Sequence, residues 1–144
     1  MQIRRMTSAD VDAVAAIENE SFEFPWSQRS LEDELINPIA TYFVVCDNDG
    51  AVCGYGGYLK VSDEAYITNI AVKSSERNKG YGSLIIKALI DEARISGVKA
   101  ITLEVRVGNV IAIKIYQSFG FKSVGIRPKF YPDGEDAEIY WLTL

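Results

Sequence analysis

Ile70-Ala71-Val72-Lys73-Ser74-Ser75-Glu76-Arg77-Asn78-Lys79-Gly80-Tyr81-Gly82-Ser83 is the stretch that decides the fold. It reads as a strand, a polar turn, and a helix that begins on two glycines. The first N–H groups of a helix have no partner within it and carry a partial positive charge, which suits phosphate. Glycine lets a ligand come close to the backbone and tolerates positive φ. Arg77 and Lys79 add cations. The stretch lacks the Gly-x-x-x-x-Gly-Lys-[Ser/Thr] of a P-loop. A Rossmann turn fits in part. Gly80-x-Gly82 is followed by Ile85 where the third glycine belongs, and Glu104 falls near the place of a ribose-binding acid, but the turn is too long. A third pattern, [Gln/Arg]-x-x-Gly-x-[Gly/Ala] after a strand, is met by Arg77 to Gly82. A glycine-rich helix start that serves packing alone is the remaining reading.

Working outward, strand-like and helix-like segments alternate along the whole chain, with no repeat, low-complexity tract or linker. Ala65 to Val72 is rich in β-formers and reads as a central strand. Upstream, Tyr42 to Asp47 and Val52 to Val61 form a hairpin whose second strand is thinned by Gly54, Gly56 and Gly57. Gln2 to Met6 is an edge strand. Thr7 caps a helix with Asp10 three residues on, and Val11, Val14 and Ile17 make its apolar face. Phe22 to Trp26 is a loop, and Ser27 caps a second helix onto which Trp26 staples through Leu31. Downstream, Gly80 to Ser96 is a long helix ended by Gly97. Lys99 to Arg106 is a strand, Asn109 caps a helix to Ser118, and Phe121 to Ile126 and Ala137 to Leu144 are closing strands. The expectation is one α/β domain over residues 1–144, built on a single mixed sheet.

Composition narrows the chemistry. The 144 residues carry 15 Lys and Arg against 20 Asp and Glu, a net charge of −5, without the basic footprint of a general nucleic-acid binder. There is no histidine. That removes Ser-His-Asp and Cys-His catalysis and histidine metal sites, and no metal is expected. No apolar run has the length of a membrane span or a signal sequence, so the chain reads as cytoplasmic. If Asp49-Gly50 makes a two-residue turn, Cys46 and Cys53 face each other across the hairpin. In a reduced cytosol they are expected as free thiols.

A second constellation is Leu103-Glu104-Val105-Arg106-x-x-Asn109, then Ala112, Tyr116 and Phe119-Gly120-Phe121. Ile101, Leu103 and Val105 share one strand face, and Thr102, Glu104 and Arg106 the other. Asn109 and Tyr116 lie about two helical turns apart, nearly on one face, with the small Ala112 between them. Ile111, Ile115 and Phe119 make the opposing apolar stripe, expected on the sheet. A carboxylate from a strand and a phenol from a helix can then converge at a cleft. The plainer alternatives are a surface ion pair of Glu104 with Arg106 and an amphipathic edge at Tyr116.

Taken together, these motifs resemble the Gcn5-related N-acetyltransferase (GNAT) superfamily, and within it the ribosomal-protein-alanine N-acetyltransferase family. The resemblance extends to Phe24-Pro25-Trp26-Ser27, Asn69-Ile70-Ala71-Val72 and Tyr131-Pro132-Asp133-Gly134-Glu135-Asp136-Ala137. It implies a mixed, mostly antiparallel sheet of six to seven strands flanked by about four helices. It implies acetyl-CoA as acetyl donor. The backbone of Ile70, Ala71 and Val72 would pair with the pantetheine arm, and Asn109 would bond that arm. Arg77 and the amides of Asn78, Lys79, Gly80, Tyr81, Gly82 and Ser83 would hold the diphosphate. Glu104 would be the general base and Tyr116, also at the cofactor, the general acid. The protein partner would be the N-terminal alanine of a ribosomal protein, with no nucleic acid or membrane involved. The loop aromatics Phe24, Trp26, Phe130 and Tyr131 are expected to border the peptide groove or to tie down loops. An enzyme for another N-terminus, a lysine or a small amine, and a non-catalytic acyl-CoA-binding module, remain as alternatives.

Overall fold

The computed structural model describes residues 1–144. In chain order the elements are β1 (Gln2–Arg5), α1 (Val11–Ser21), α2 (Gln28–Leu35), β2 (Ala40–Cys46), β3 (Val52–Val61), β4 (Glu64–Val72), α3 (Tyr81–Ile95), β5 (Ala100–Arg106), α4 (Val110–Ser118), β6 (Lys122–Arg127) and β7 (Ala137–Thr143). Short 3-10 turns at Ser8–Asp10 and Ser74–Glu76 precede α1 and α3. The seven strands form one sheet in the order β1-β2-β3-β4-β5-β7-β6. Only β4 and β5 run parallel, as a strand pair joined by a crossover helix must. The expected mixed, mostly antiparallel sheet with four helices is the architecture found.

Each face of the sheet carries its own core. On one side α3 lays Ile85, Ile86, Leu89 and Ile90 against Ile101, Leu103 and Val105 of β5. On the other, α1 and α2 bury Val11, Val14, Ile17 and Leu31 against Val44 and Tyr55, and Trp26 packs on the same cluster. The glycines of β3 let this sandwich close. A Cβ on Gly57 would stand 2.2 Å from the Tyr42 ring, and one on Gly56 2.6 Å from Ile85.

Caps fall where the sequence places them. The Ser27 hydroxyl accepts from the Ser30 N–H at 3.1 Å, and the Asn109 side chain from the Ala112 N–H at 3.3 Å. The Asp10 carboxylate accepts from the Thr7 N–H at 2.8 Å and takes both arms of the Arg4 guanidinium, each at 2.8 Å. Asp10 is then shared between cap and ion pair, and a 3-10 turn precedes α1.

Two expectations need correcting. The β2–β3 turn is longer than Asp49-Gly50, because the Asp47 side chain gathers the amides of Asp49 and Ala51. Cys46 therefore pairs with Val52, beside a bulge that leaves Cys53 out of register. The two thiols are free and buried in the cores on opposite faces of the sheet. On α4, Ile115 and Phe119 pack on the α3-side core, but Ile111 is 68% exposed. The first turn of that helix overhangs a cleft, and Tyr116 is the helix's one buried residue.

The feature that makes the site is a parting of strands. β4 and β5 pair only from Glu64–Ala100 to Tyr66–Thr102. Beyond that point β4 stays with β3 as far as Val72, while β5 stays with β7 as far as Arg106. A bulge at Thr68 lies where β4 turns away. The backbone of Ile67 to Val72 is left with one edge unpaired.

Candidate active site

Two clefts open from this gap. The larger, about 440 Å³, runs from the end of β4 over the start of α3 and along α4. The smaller, about 280 Å³, lies between the α1–α2 loop, β4, β5 and the β6–β7 loop. Phe22, Ile70, Asn109 and Tyr116 line both, so the two meet there.

The larger cleft is a backbone surface. Gly80, the cap of α3, has φ +85°, and Asn78 has φ +65°. These left-handed turns bring the chain onto the helix axis, and no side chain caps α3. The leading N–H groups of the helix are left for a ligand. Ile70, Ala71, Val72, Arg77, Asn78, Gly80, Tyr81, Gly82, Ser83, Asn109 and Tyr116 all line this cleft. Lys79 does not: its ammonium binds the Glu76 carboxylate at 2.8 Å. The Arg77 guanidinium is also engaged, donating to the Val72 carbonyl at 3.1 Å and the Ser21 hydroxyl at 3.4 Å. The positive character of this cleft comes from the helix terminus and from Arg77, whose partners are neutral and leave its charge unpaired. A diphosphate-bearing coenzyme with an extended amide arm fits it: amides for the phosphates and an open strand edge for the arm.

The smaller cleft is made of side chains. Glu104 points into it from β5 and accepts a hydrogen bond from the Tyr66 hydroxyl of β4. Arg127 Nε lies 3.6 Å from its other oxygen. Burial, with the carboxylate beside it, pushes the Tyr66 phenol well above its ordinary value. Arg106 is not the partner of Glu104; its guanidinium is taken by Asp133 and Glu135. Tyr116 is 8% exposed, and its hydroxyl has no partner within the chain. Tyr116 lines both clefts at their junction. Burial pushes this phenol up as well, so it keeps its proton.

Phe24, Trp26 and Tyr131 border the smaller cleft, whereas the exposed Phe130 packs edge-on against Tyr131. Glu18 lines the floor of this cleft and is otherwise buried. It accepts from the Trp26 N–H at 2.9 Å and the Asn69 amide at 2.7 Å, tying the α1–α2 loop to β4. Burial raises its pKa, against the pull of these two donors. Tyr66 and Glu18 have no signal in the sequence, because their partners are 38 and 51 residues away. No cluster of Cys, Asp and Glu is arranged to hold a metal ion.

A fold with parted central strands, and a glycine-led helix facing one of two joined clefts, has a counterpart among known families. The sequence profile of the acetyltransferase (GNAT) family matches residues 11–121, and the chain belongs to that family. It is an acyltransferase, and its acetyl donor is acetyl-CoA. A putative [ribosomal protein bS18]-alanine N-acetyltransferase of Bacillus subtilis is 40% identical over 144 residues, 99% of this chain and 95% of the relative. The [ribosomal protein bS18]-alanine N-acetyltransferase of Escherichia coli is 33% identical, over 99% of this chain and 97% of its own. The crystal structure of the ribosomal-protein-S18-alanine N-acetyltransferase from Escherichia coli superimposes with a TM-score of 0.90 at 34% identity, covering 99% of this chain and 92% of that one. No helix is long and apolar enough to cross a membrane.

Proposed function

We propose that this protein acetylates the α-amino group of the N-terminal alanine of a ribosomal protein, with Glu104 as base and Tyr116 as acid. The observation that carries the reading is the meeting of the two clefts at Tyr116, with Glu104 on the wall of the smaller one. The activity for which the relatives are named supports the substrate.

Acetyl-CoA supplies an activated acetyl thioester. The chain's residues bind, aim and move protons. The α3 amides and the open edge of β4 hold a coenzyme so that its acyl end lies at the junction. Glu104, fixed by Tyr66, takes a proton from the incoming ammonium, directly or through one water. The freed amine attacks the thioester carbonyl. As the C–N bond forms and the C–S bond breaks, Tyr116, kept protonated by its burial, donates to the departing sulfur, and the second proton of the acylated nitrogen restores the phenol. Proton transfers of this kind contribute about 10²–10⁴ in rate. No enzyme nucleophile is required. The choice of amine follows from acidity. An α-ammonium has a pKa of about 7.7–8.0 and a lysine ammonium about 10.4, so a single carboxylate suffices more readily for the first.

The test offers acetyl-CoA with three acceptors: an alanine-starting ribosomal peptide, the same peptide with a blocked N-terminus and a free lysine, and a polyamine. Mass spectrometry is expected to find one acetyl group on the α-amine of the first. Transfer confined to the lysine or the polyamine overturns the reading, as does coenzyme binding without turnover on any amine.

A further inference from the structure

Arg106 ends β5 on the same face as Glu104, and the mechanism above gives it no task. Its surroundings are specific. Its Nη1 donates to both oxygens of Asp133, at 3.0 and 2.8 Å, and to Glu135 at 2.9 Å. The guanidinium lies over the Tyr131 ring, 4.1 Å from its centroid. One nitrogen thus serves both carboxylates while the guanidinium plane lies over the aromatic face, and that stacking is what a planar guanidinium adds over an ammonium.

These contacts all go to one segment, the connection from β6 to β7. Inside that connection the turn closes on itself, with the Gly134 N–H bonded to the Tyr131 carbonyl at 2.9 Å. The Asp133 carboxylate takes the Glu135 N–H at 3.0 Å. Its attachment to β5 runs through Arg106 and the turn behind it. There the Glu135 carboxylate also accepts from the Gly108 N–H at 3.1 Å. A Cβ on Gly108 would lie 2.9 Å from that oxygen, so the carboxylate sits close against the glycine. Tyr131, so held, faces the smaller cleft with Glu104 and Tyr116.

We infer that Arg106 is a positioning residue for the acceptor: by clamping Asp133 and Glu135 and stacking on Tyr131, it fixes the β6–β7 connection as one lip of the peptide cleft. The inference rests on reading the smaller cleft as the acceptor site. The clamp sets how the acceptor is held and leaves the coenzyme cleft, which Arg106 does not line, as it is.

Steady-state kinetics of Arg106→Gln and Arg106→Lys test this, with hydrogen–deuterium exchange as a readout free of activity. Both variants are expected to raise the peptide KM by about tenfold or more, as loosened substrate positioning does. The KM for acetyl-CoA stays put, and amides from residue 129 to residue 136 exchange faster. Lysine fails to rescue because it keeps the charge and loses the planar stack on Tyr131. Tyr131→Leu is expected to reproduce the KM change, and adding Arg106→Gln to it to cost little more. An unchanged peptide KM, an equal rise in the acetyl-CoA KM, or unaltered exchange in that segment overturns the clamp. A wild-type enzyme that acetylates no peptide N-terminus sinks the acceptor reading instead, and the exchange data still decide the clamp.

Discussion

The two clefts that meet at Tyr116 are built by opposite means. The proposed coenzyme cleft draws mainly on the stretch from Ile70 to Ser83, faced by α4, and offers a ligand the free backbone groups of that stretch. Of the two nearby cations, Lys79 is paired with Glu76 away from the cleft, while Arg77 lines it, anchored by the neutral Val72 carbonyl and Ser21 hydroxyl. The acceptor cleft works through side chains from distant segments, joined as Glu18 with Asn69, Tyr66 with Glu104, and Arg106 with Asp133. A backbone site is damaged by changing the path of the chain. A side-chain site is damaged by changing a single group. The two halves should therefore fail differently.

The largest effect is expected at Tyr116. Tyr116→Phe removes one hydroxyl from the junction and should lower kcat by about 10²–10⁴ with little change in acetyl-CoA affinity. Glu104→Gln should fall in the same range. Initial rates beside calorimetric titration of acetyl-CoA separate the two halves. A Phe variant that keeps its rate would deny Tyr116 the role of acid.

Next comes the buried brace. Glu18→Ala removes the acceptor of the half-buried Trp26 N–H and one of the two bonds of the Asn69 amide, which keeps the Tyr55 hydroxyl, and each lost bond costs about 0.5–1.5 kcal/mol. Urea unfolding should register this loss, and the peptide KM should rise while acetyl-CoA binding holds. The pH dependence has a defined sign. Burial raises the Glu18 pKa, so its contribution is full below its unfolded value of about 4.3 and is lost as pH rises through the higher folded value. Asp10 has the opposite sign. The Arg4 guanidinium holds it below the usual carboxylate range. Its contribution is present above about 3.9 and is lost as pH falls through the lower folded value. The stability penalty of Glu18→Ala should shrink toward neutral pH, while that of Asp10→Asn should shrink in acid. Parallel slopes for the two variants would refute the assignment.

The coenzyme half should respond to backbone changes and ignore side chains. Gly80→Ala puts a Cβ where φ is +85° but space is open. The strain is about 1–2 kcal/mol and should appear in acetyl-CoA affinity. Lys79→Ala should be the mildest, since its exposed ion pair with Glu76 is screened by solvent. A large loss of acetyl-CoA binding in Lys79→Ala would mean that side chains, and not amides, carry the phosphates.

The same contrast explains what could be read from the sequence. The glycine-led helix after a strand is local, and its spacing alone points to a phosphate-bearing ligand. So are the caps at Ser27 and Asn109, and the alternation that turns Glu104 away from the core. The parting of β4 from β5 is not local, because it is the sum of a bulge at Thr68 and pairing on either side. Tyr66 looks like any strand tyrosine until the parallel register sets it beside β5. Arg106 could be assigned to Glu104 by nearness in sequence, yet the chain's return through the β6–β7 connection offers it two better carboxylates. The cysteine register failed for a similar reason, since the Asp47 side chain lengthened the turn.

The most direct test of the account is a crystal structure with a conjugate in which the sulfur of coenzyme A is joined, through an acetyl bridge, to the amine of an alanine-starting peptide. The diphosphate is expected on the amides of residues 78–83, the sulfur beside the Tyr116 hydroxyl, and the bridged nitrogen toward Glu104, with the alanine between Tyr131 and the α1–α2 loop. A conjugate seated with its diphosphate away from the start of α3, or with its bridge remote from Glu104 and Tyr116, would contradict it.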